Sequence, residues 1–320
     1  MRTSPLFAVL LLGALGASAQ TTDLNTWLGQ LQSSDPATRQ AGFYAIAKAQ
    51  LAPTNDTVKT ALIALLSLEE TYATQATNTN VLNTEGYGNY FSDVVTTVAA
   101  LRDTRSIDAL LGVVSTGGAV GDALASFGPT ALDKVIATTT SAQLLDRFFA
   151  VLVLGKMLNT GTISDTPSLT KIRSTLNTAA LDPDSNTGLA ALQGLLKLFH
   201  VTTPGSSPTK IAIDIKPGGY PNAVNPRENG VLPVAILSSP TFDATTIDIA
   251  TVRFGPGQAA PANGGHIEDV NGDGLPDMVF QFPMPATQID CGDVASFLFG
   301  ETRAGQVIVG ADAIMTVGCK

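Results

Sequence analysis

Nine consecutive residues carry the clearest chemistry in this chain. Asp269-Val270-Asn271-Gly272-Asp273-Gly274-Leu275-Pro276-Asp277 follows the pattern D-x-N-x-D-G-x-x-D. Oxygen-bearing side chains at alternating positions converge on one point when the backbone curls tightly, and a glycine in the place of Gly274 permits the turn. Hard oxygen donors select a hard cation, so the expected ion is Ca2+. Asp269, Asn271 and Asp273 would supply side-chain oxygens and Leu275 its carbonyl. Asp277 would supply a direct or water-bridged oxygen.

The two cysteines, Cys291 and Cys319, follow shortly after this loop. An isolated pair in an exported protein is expected to form one disulfide. Closing that loop restricts the unfolded chain by about 3–4 kcal/mol in the loop-entropy model. Catalytic constellations do not stand out. The chain has two histidines, His200 and His266. His200 ends a helical segment, where an imidazole suits the helix dipole. His266 lies three residues before Asp269 and would at most touch the outer surroundings of a bound ion. Glu69-Glu70 reads as a solvated helix end. No H-E-x-x-H, nucleophile elbow or phosphate-cradling loop occurs. The chain is therefore expected not to be an enzyme. A glycoside hydrolase would escape this test, because its carboxylates have no fixed spacing in sequence.

The N-terminus has the layout of a signal peptide over residues 1–19. Arg2 gives the positive start, Leu6 to Leu15 the apolar run, and Ala17-Ser18-Ala19 the small residues of a cleavage site. That run is shorter than the roughly 20 residues a membrane span needs, so no span is expected. Secretion to the periplasm or beyond is the expected destination. The formal net charge is −9 and no Lys/Arg cluster relieves it. Such a surface repels a phosphate backbone, so nucleic acid is not an expected partner.

The elements that must position these residues change character partway along the 320-residue chain. Over 20–200 the apolar residues recur with a helical period. Leu24, Trp27, Leu28 and Leu31 form one face. Asp35-Pro36 reads as an N-cap followed by proline in the first turn. The next helix is expected to turn Ala41, Tyr44, Ile46, Ala47 and Leu51 inward, and the one after it Val58, Leu62, Leu65 and Leu66. Further short helices are expected at Tyr90–Leu101, Ser106–Val114, Ala119–Phe127, Thr130–Ala137, Ala142–Leu158, Ser168–Ala180 and Thr187–His200. Thr71–Gly88, rich in Thr and Asn, reads as a long exposed loop.

Ser34-Asp35-Pro36-Ala37-Thr38-Arg39-Gln40-Ala41 resembles the start of a HEAT-type repeat, as does Leu101-Arg102-Asp103-Thr104-Arg105-Ser106-Ile107-Asp108-Ala109-Leu110-Leu111. Ala123-Leu124-Ala125-Ser126-Phe127-Gly128-Pro129-Thr130-Ala131-Leu132 resembles the paired helix of such a unit. The resemblance implies an α-solenoid in which the Asp caps a helix and the Arg buttresses the neighbouring repeat. A solenoid offers an extended face for a protein or peptide.

Residues 201–210 read as a Pro/Gly/Ser linker, after which the period becomes two. Ile211–Ile215, Val231–Leu237, Thr251–Phe254, Met278–Phe282, Ser296–Phe299 and Val307–Val309 are expected strands. Short strands with Gly/Pro turns predict an all-β sandwich over 211–320. Phe280 stands where an EF-hand would carry its bidentate Glu, and both flanks of the calcium loop are strand-like. The loop thus resembles those of integrin and FG-GAP repeats, with affinity in the weak range of about 10⁻⁴–10⁻³ M. The whole stretch also resembles an accessory domain of exported bacterial proteins. Ile213-Asp214-Ile215-Lys216-Pro217-Gly218, Pro221-Asn222, Asn225-Pro226, Val252-Arg253-Phe254-Gly255 and Ile289-Asp290-Cys291-Gly292-Asp293 carry that likeness, and it implies no defined reaction.

These readings together predict a secreted, calcium-stabilised binding or scaffold protein. Carbohydrate or cell-surface binding is the alternative. The only Trp is Trp27 in the helical part, and the β part offers Tyr220 and a few Phe, which disfavours a sugar site.

Overall fold

The computed structural model describes residues 17–51, 55–77, 87–201 and 207–319, with the backbone alone at 17–22, 70–77 and 87–89. The expected signal peptide lies outside these residues up to position 16, and half of the expected linker, 202–206, does too. A helical region comes first and a β region of mixed sheets follows, as the change of period predicts. The chain forms two compact units, residues 1–112 and 113–320.

The first unit contains α1 (Ala17–Leu31), α2 (Pro36–Ala49), α3 (Asp56–Thr77), α4 (Tyr87–Ala100) and α5 (Ser106–Gly112). Asp35 caps α2 by accepting the Thr38 N–H at 3.0 Å. Asn55 does the same for α3 through Val58 at 3.2 Å. Val58, Leu62, Leu65 and Leu66 are all fully buried, as their spacing requires. On α2 the inward face is Arg39, Gly42, Phe43 and Ile46, rather than the expected set containing Ala41 and Tyr44. Gly42 explains the difference. A Cβ there would lie 2.7 Å from Gln30 Cβ and 3.0 Å from the Trp27 carbonyl, so α1 sits directly on the bare backbone.

Two further expectations in this unit are overturned. Thr71–Thr77 continues α3, because threonine costs a helix only a few tenths of a kcal/mol. Tyr87-Gly88 open α4, and the rest of the expected loop, 78–86, lies outside the described residues. Glu69 is not solvated but fully buried. Its Oε1 pairs with Arg39 Nε at 2.6 Å and accepts the Tyr90 hydroxyl at 3.1 Å. Burial of that carboxylate is tolerated because it is paired and hydrogen-bonded at once.

The second unit begins with a 3-10 turn at Val114–Thr116 and then α6 (Gly118–Ser126), α7 (Pro129–Thr138), α8 (Leu144–Asn159), α9 (Thr166–Ala179) and α10 (Ser185–Leu198). Asp165 and Asp184 cap α9 and α10 through the Ser168 and Thr187 amides at 2.9 and 2.8 Å. The strands are β1 (Thr209–Lys210), β2 (Ile213–Ile215), β3 (Ala223–Val224), β4 (Val231–Ile236), β5 (Ile247–Phe254), β6 (His266–Glu268), β7 (Asp277–Pro283), β8 (Ala295–Thr302), β9 (Val307–Ala313) and β10 (Met315–Thr316). A short helix, α11 (Met284–Thr287), follows β7. They form one sheet in the order β1-β9-β8-β5, a second in the order β2-β4-β7-β6, and a small parallel pair, β3 with β10.

Both four-stranded sheets contribute to one apolar core, with Val234, Phe280 and Phe282 from one and Phe254, Leu298 and Ile308 from the other. The rings of Phe254 and Phe282 meet across it at 4.9 Å. β8 is buried from Ala295 to Gly300 without alternation, because its outer face is covered as well. Helices α9 and α10 supply that cover. Phe199, just past α10, stacks on Phe297 at 5.3 Å, and Arg173 of α9 binds Asp290 at 3.0 Å. The helices of 113–200 and the β region are therefore parts of one compact unit. The helices thus fall in both units, α1–α5 in the first and α6–α10 in the second.

Candidate metal centre

The loop Asp269–Pro276 joins β6 to β7, so strands flank it on both sides as expected. Asp269 organises its first half. Its Oδ1 accepts the N–H groups of Gly272 at 2.8 Å and Asp273 at 3.1 Å, and its Oδ2 that of Gly274 at 3.0 Å. Gly272 and Gly274 sit at φ of 75° and 85°, the left-handed region where a side chain is strained. Asn271 Oδ1 accepts from Asp273 N at 3.0 Å, and Asp273 Oδ1 from Leu275 N at 2.8 Å. Asn271 Nδ2 also donates to Asp273 Oδ2 at 3.0 Å. Asp269, Asn271 and Asp273 are all exposed, and Leu275 is half-buried.

Asp277 is placed differently. It is fully buried, and its carboxylate accepts Ser238 N at 2.7 Å and Val270 N at 3.0 Å. Ser238 completes the anchor: its Oγ donates to the Pro276 carbonyl at 2.6 Å and accepts Ala244 N at 2.9 Å. Sequence reading missed Ser238, whose only signal was its place in a Ser-Ser-Pro turn. Asp277 thus fixes the base of the loop. Among the described residues no three carboxylate, imidazole or thiolate groups converge as a ready metal cluster.

The donor chemistry of the exposed trio nonetheless fits a hard cation. Each ionised carboxylate has about four lone-pair positions. Asp269 spends three on amides and Asp273 spends two, which leaves oxygen capacity beside the Asn271 amide and the Leu275 carbonyl. His266 pairs with Glu268 at 3.2 Å on β6 and makes no hydrogen bond to the loop. His200 takes a left-handed conformation at the end of α10, its N–H on the Lys197 carbonyl at 3.0 Å.

Cys291 and Cys319 form the expected disulfide. It ties the turn before β8 to the segment after β10, whose Thr316 hydroxyl accepts Gly292 N at 3.0 Å. The perturbed groups elsewhere serve packing. Burial pushes the Tyr44 phenol up to about 12, with its hydrogen bond to Asp93 second. Burial likewise raises Asp293, and it raises Asp214 with the nearby Asp312 charge adding to the effect.

Two concavities in the second unit have the size of binding sites. One is an apolar groove of about 290 Å³ between α8 and α10, lined by Leu144, Leu145, Phe148, Leu152 and Leu189. The other is a hydroxyl-lined cleft of about 530 Å³ where α7 and α9 end beside the start of α8. Comparison with known proteins returns neither a matching family model nor a matching curated protein.

Proposed function

We propose that the chain is a secreted, non-enzymatic binding or scaffold protein. In this reading a HEAT-like α-solenoid takes a protein or peptide, and a β-sandwich stabilised by one Ca2+ serves as its accessory domain. The observation that carries binding is the groove between α8 and α10. Leu144 and Leu145 stand 42% and 52% exposed there beside the further apolar residues of its wall. Soluble chains seldom leave such side chains grouped in water unless something covers them.

The repeat reading draws support from a recurring arginine. Arg39 Nη1 donates to the carbonyls of Ser33 and Ser34, six and five residues earlier, and its Nε to Glu69. Arg147 Nη1 donates to Ser141 and Ala142, again six and five residues earlier, and its Nε to Asp182. Each arginine thus closes the turn before its own helix while holding a carboxylate on a later element. Secretion is supported by the disulfide, a bond that persists in oxidising compartments. The calcium reading rests on Asp269, Asn271, Asp273, the Leu275 carbonyl and a direct or water-bridged oxygen of Asp277, whose carboxylate also holds the loop in place.

Display of random peptides against the full chain tests the binding reading. Enriched peptides should lose affinity for Leu144→Asp and Leu145→Asp. Enrichment indifferent to both substitutions would refute it. A second reading, carbohydrate binding by the β region, is favoured by Tyr220, whose side chain is 99% exposed. Glycan-array binding that Tyr220→Ala abolishes would establish it instead.

A further inference from the structure

The larger cleft has a polarity of its own. Thr139 and Thr140, at the end of α7, donate their hydroxyl protons to the carbonyls of Ile136 at 2.7 Å and Ala137 at 2.9 Å. Thr175 and Thr178 on α9 do the same to Lys171 at 2.9 Å and Ser174 at 3.1 Å. A hydroxyl has one proton to give, so these four present lone pairs to the cleft. The C-terminal ends of α7 and α9 both border it, and helix C-termini carry partial negative charge.

Charge points the same way. Arg147 is the one lining arginine, and it is committed to Asp182 at 2.7 Å. Asp146 accepts the Ser141 hydroxyl at 3.3 Å, and Asp184, whose charge acts on Arg147, is lowered by its hydrogen bond from the Thr187 amide. Asp182 thus balances Arg147 within the lining, and Asp146 and Asp184 stand beside lining residues and add negative charge around it, on a chain of net charge −9. A lining rich in acceptors, with further negative charge beside it, is complementary to a donor-only cation. Its volume lies within the range of about 300–1,000 Å³ found for ligand pockets, more than a lone ion would fill.

We propose that this cleft receives a Lys or Arg side chain of a basic peptide segment. The proposal rests on the peptide-binding reading above and names both a second contact and the character of the partner. Fluorescence anisotropy of the full chain with labelled octalysine, and with octaglutamate as the opposite-charge control, tests it. Octalysine should bind and octaglutamate should not. Ser174→Trp and Thr140→Trp, each at an exposed wall position, should weaken octalysine by about tenfold or more at an unchanged melting temperature. Octalysine binding that both substitutions leave intact would mean diffuse attraction to an acidic surface and would overturn the proposal. Absence of octalysine binding would overturn it as well. Displayed peptides that enrich without basic residues, and depend on Leu145, would overturn it while leaving the peptide-binding reading standing.

Discussion

The buried Asp277 carboxylate accepts the Ser238 amide at 2.7 Å, joining the end of the candidate calcium loop to the chain just past β4. Its second oxygen holds Val270 at the start of the loop. These two hydrogen bonds hold the base of the loop within the protein itself. Asp277→Ala should cost about 2–5 kcal/mol, since it strands two amides in the core and removes a buried charged acceptor. Asp269→Ala, at an exposed position, should cost clearly less in calcium-free buffer. Urea denaturation of the two variants checks the order, and an equal loss would contradict it.

In the first unit, Glu69→Ala should destabilise by about 3–5 kcal/mol, because it leaves Arg39 buried without its carboxylate. Lys171→Ala removes an exposed pair with Asp133 and should change stability by less than about 1 kcal/mol. Denaturation midpoints separate the two. A Glu69 variant as stable as the Lys171 variant would show that the buried pair contributes nothing net.

Tyr44 gives a pH signature. Its phenol is raised from 10.0 to about 12 by burial and Asp93, so the neutral form is favoured in the folded state. The stability tied to that shift is fully present below pH 10 and is lost as pH rises through about 12. The tyrosinate absorbance missing from Tyr44→Phe should accordingly appear near pH 12. A difference centred near 10 would show that the Tyr44–Asp93 contact does not persist in solution.

The Phe199–Phe297 stack predicts that 113–320 unfolds as one body. Phe297→Ala removes a fully buried ring and should cost about 3–5 kcal/mol. Within a fragment of 113–320, the helical and strand circular-dichroism signals should be lost together, before and after that substitution. Two separate transitions would mean that the helices and sheets are independent.

Local signals in the sequence were legible wherever the deciding partners were neighbours. The Asp35 cap, the inward face of α3 and the strand-flanked loop at Asp269 each depend on residues a few positions apart. Ser296–Phe299 was legible as a strand, but not the burial of both its faces or the cover that α9 and α10 supply. Glu69 was misread because its partners, Arg39 and Tyr90, lie on other helices. The strands β1, β3 and β10 escaped notice because two residues show no period. Ser238 was illegible for a similar reason, its role being fixed by contacts to Asp277 and Pro276 well along the chain.

Calcium-dependent thermal stability of the full chain tests the ion reading most directly. With affinity of about 10⁻⁴–10⁻³ M, roughly 10 mM Ca2+ should stabilise the chain by about 1–3 kcal/mol, visible as a rise of a few degrees in Tm. The double substitution Asp269→Ala, Asp273→Ala should abolish that rise while leaving the Cys291–Cys319 bond formed. No rise in the natural chain, or an equal rise in the double variant, would contradict the account.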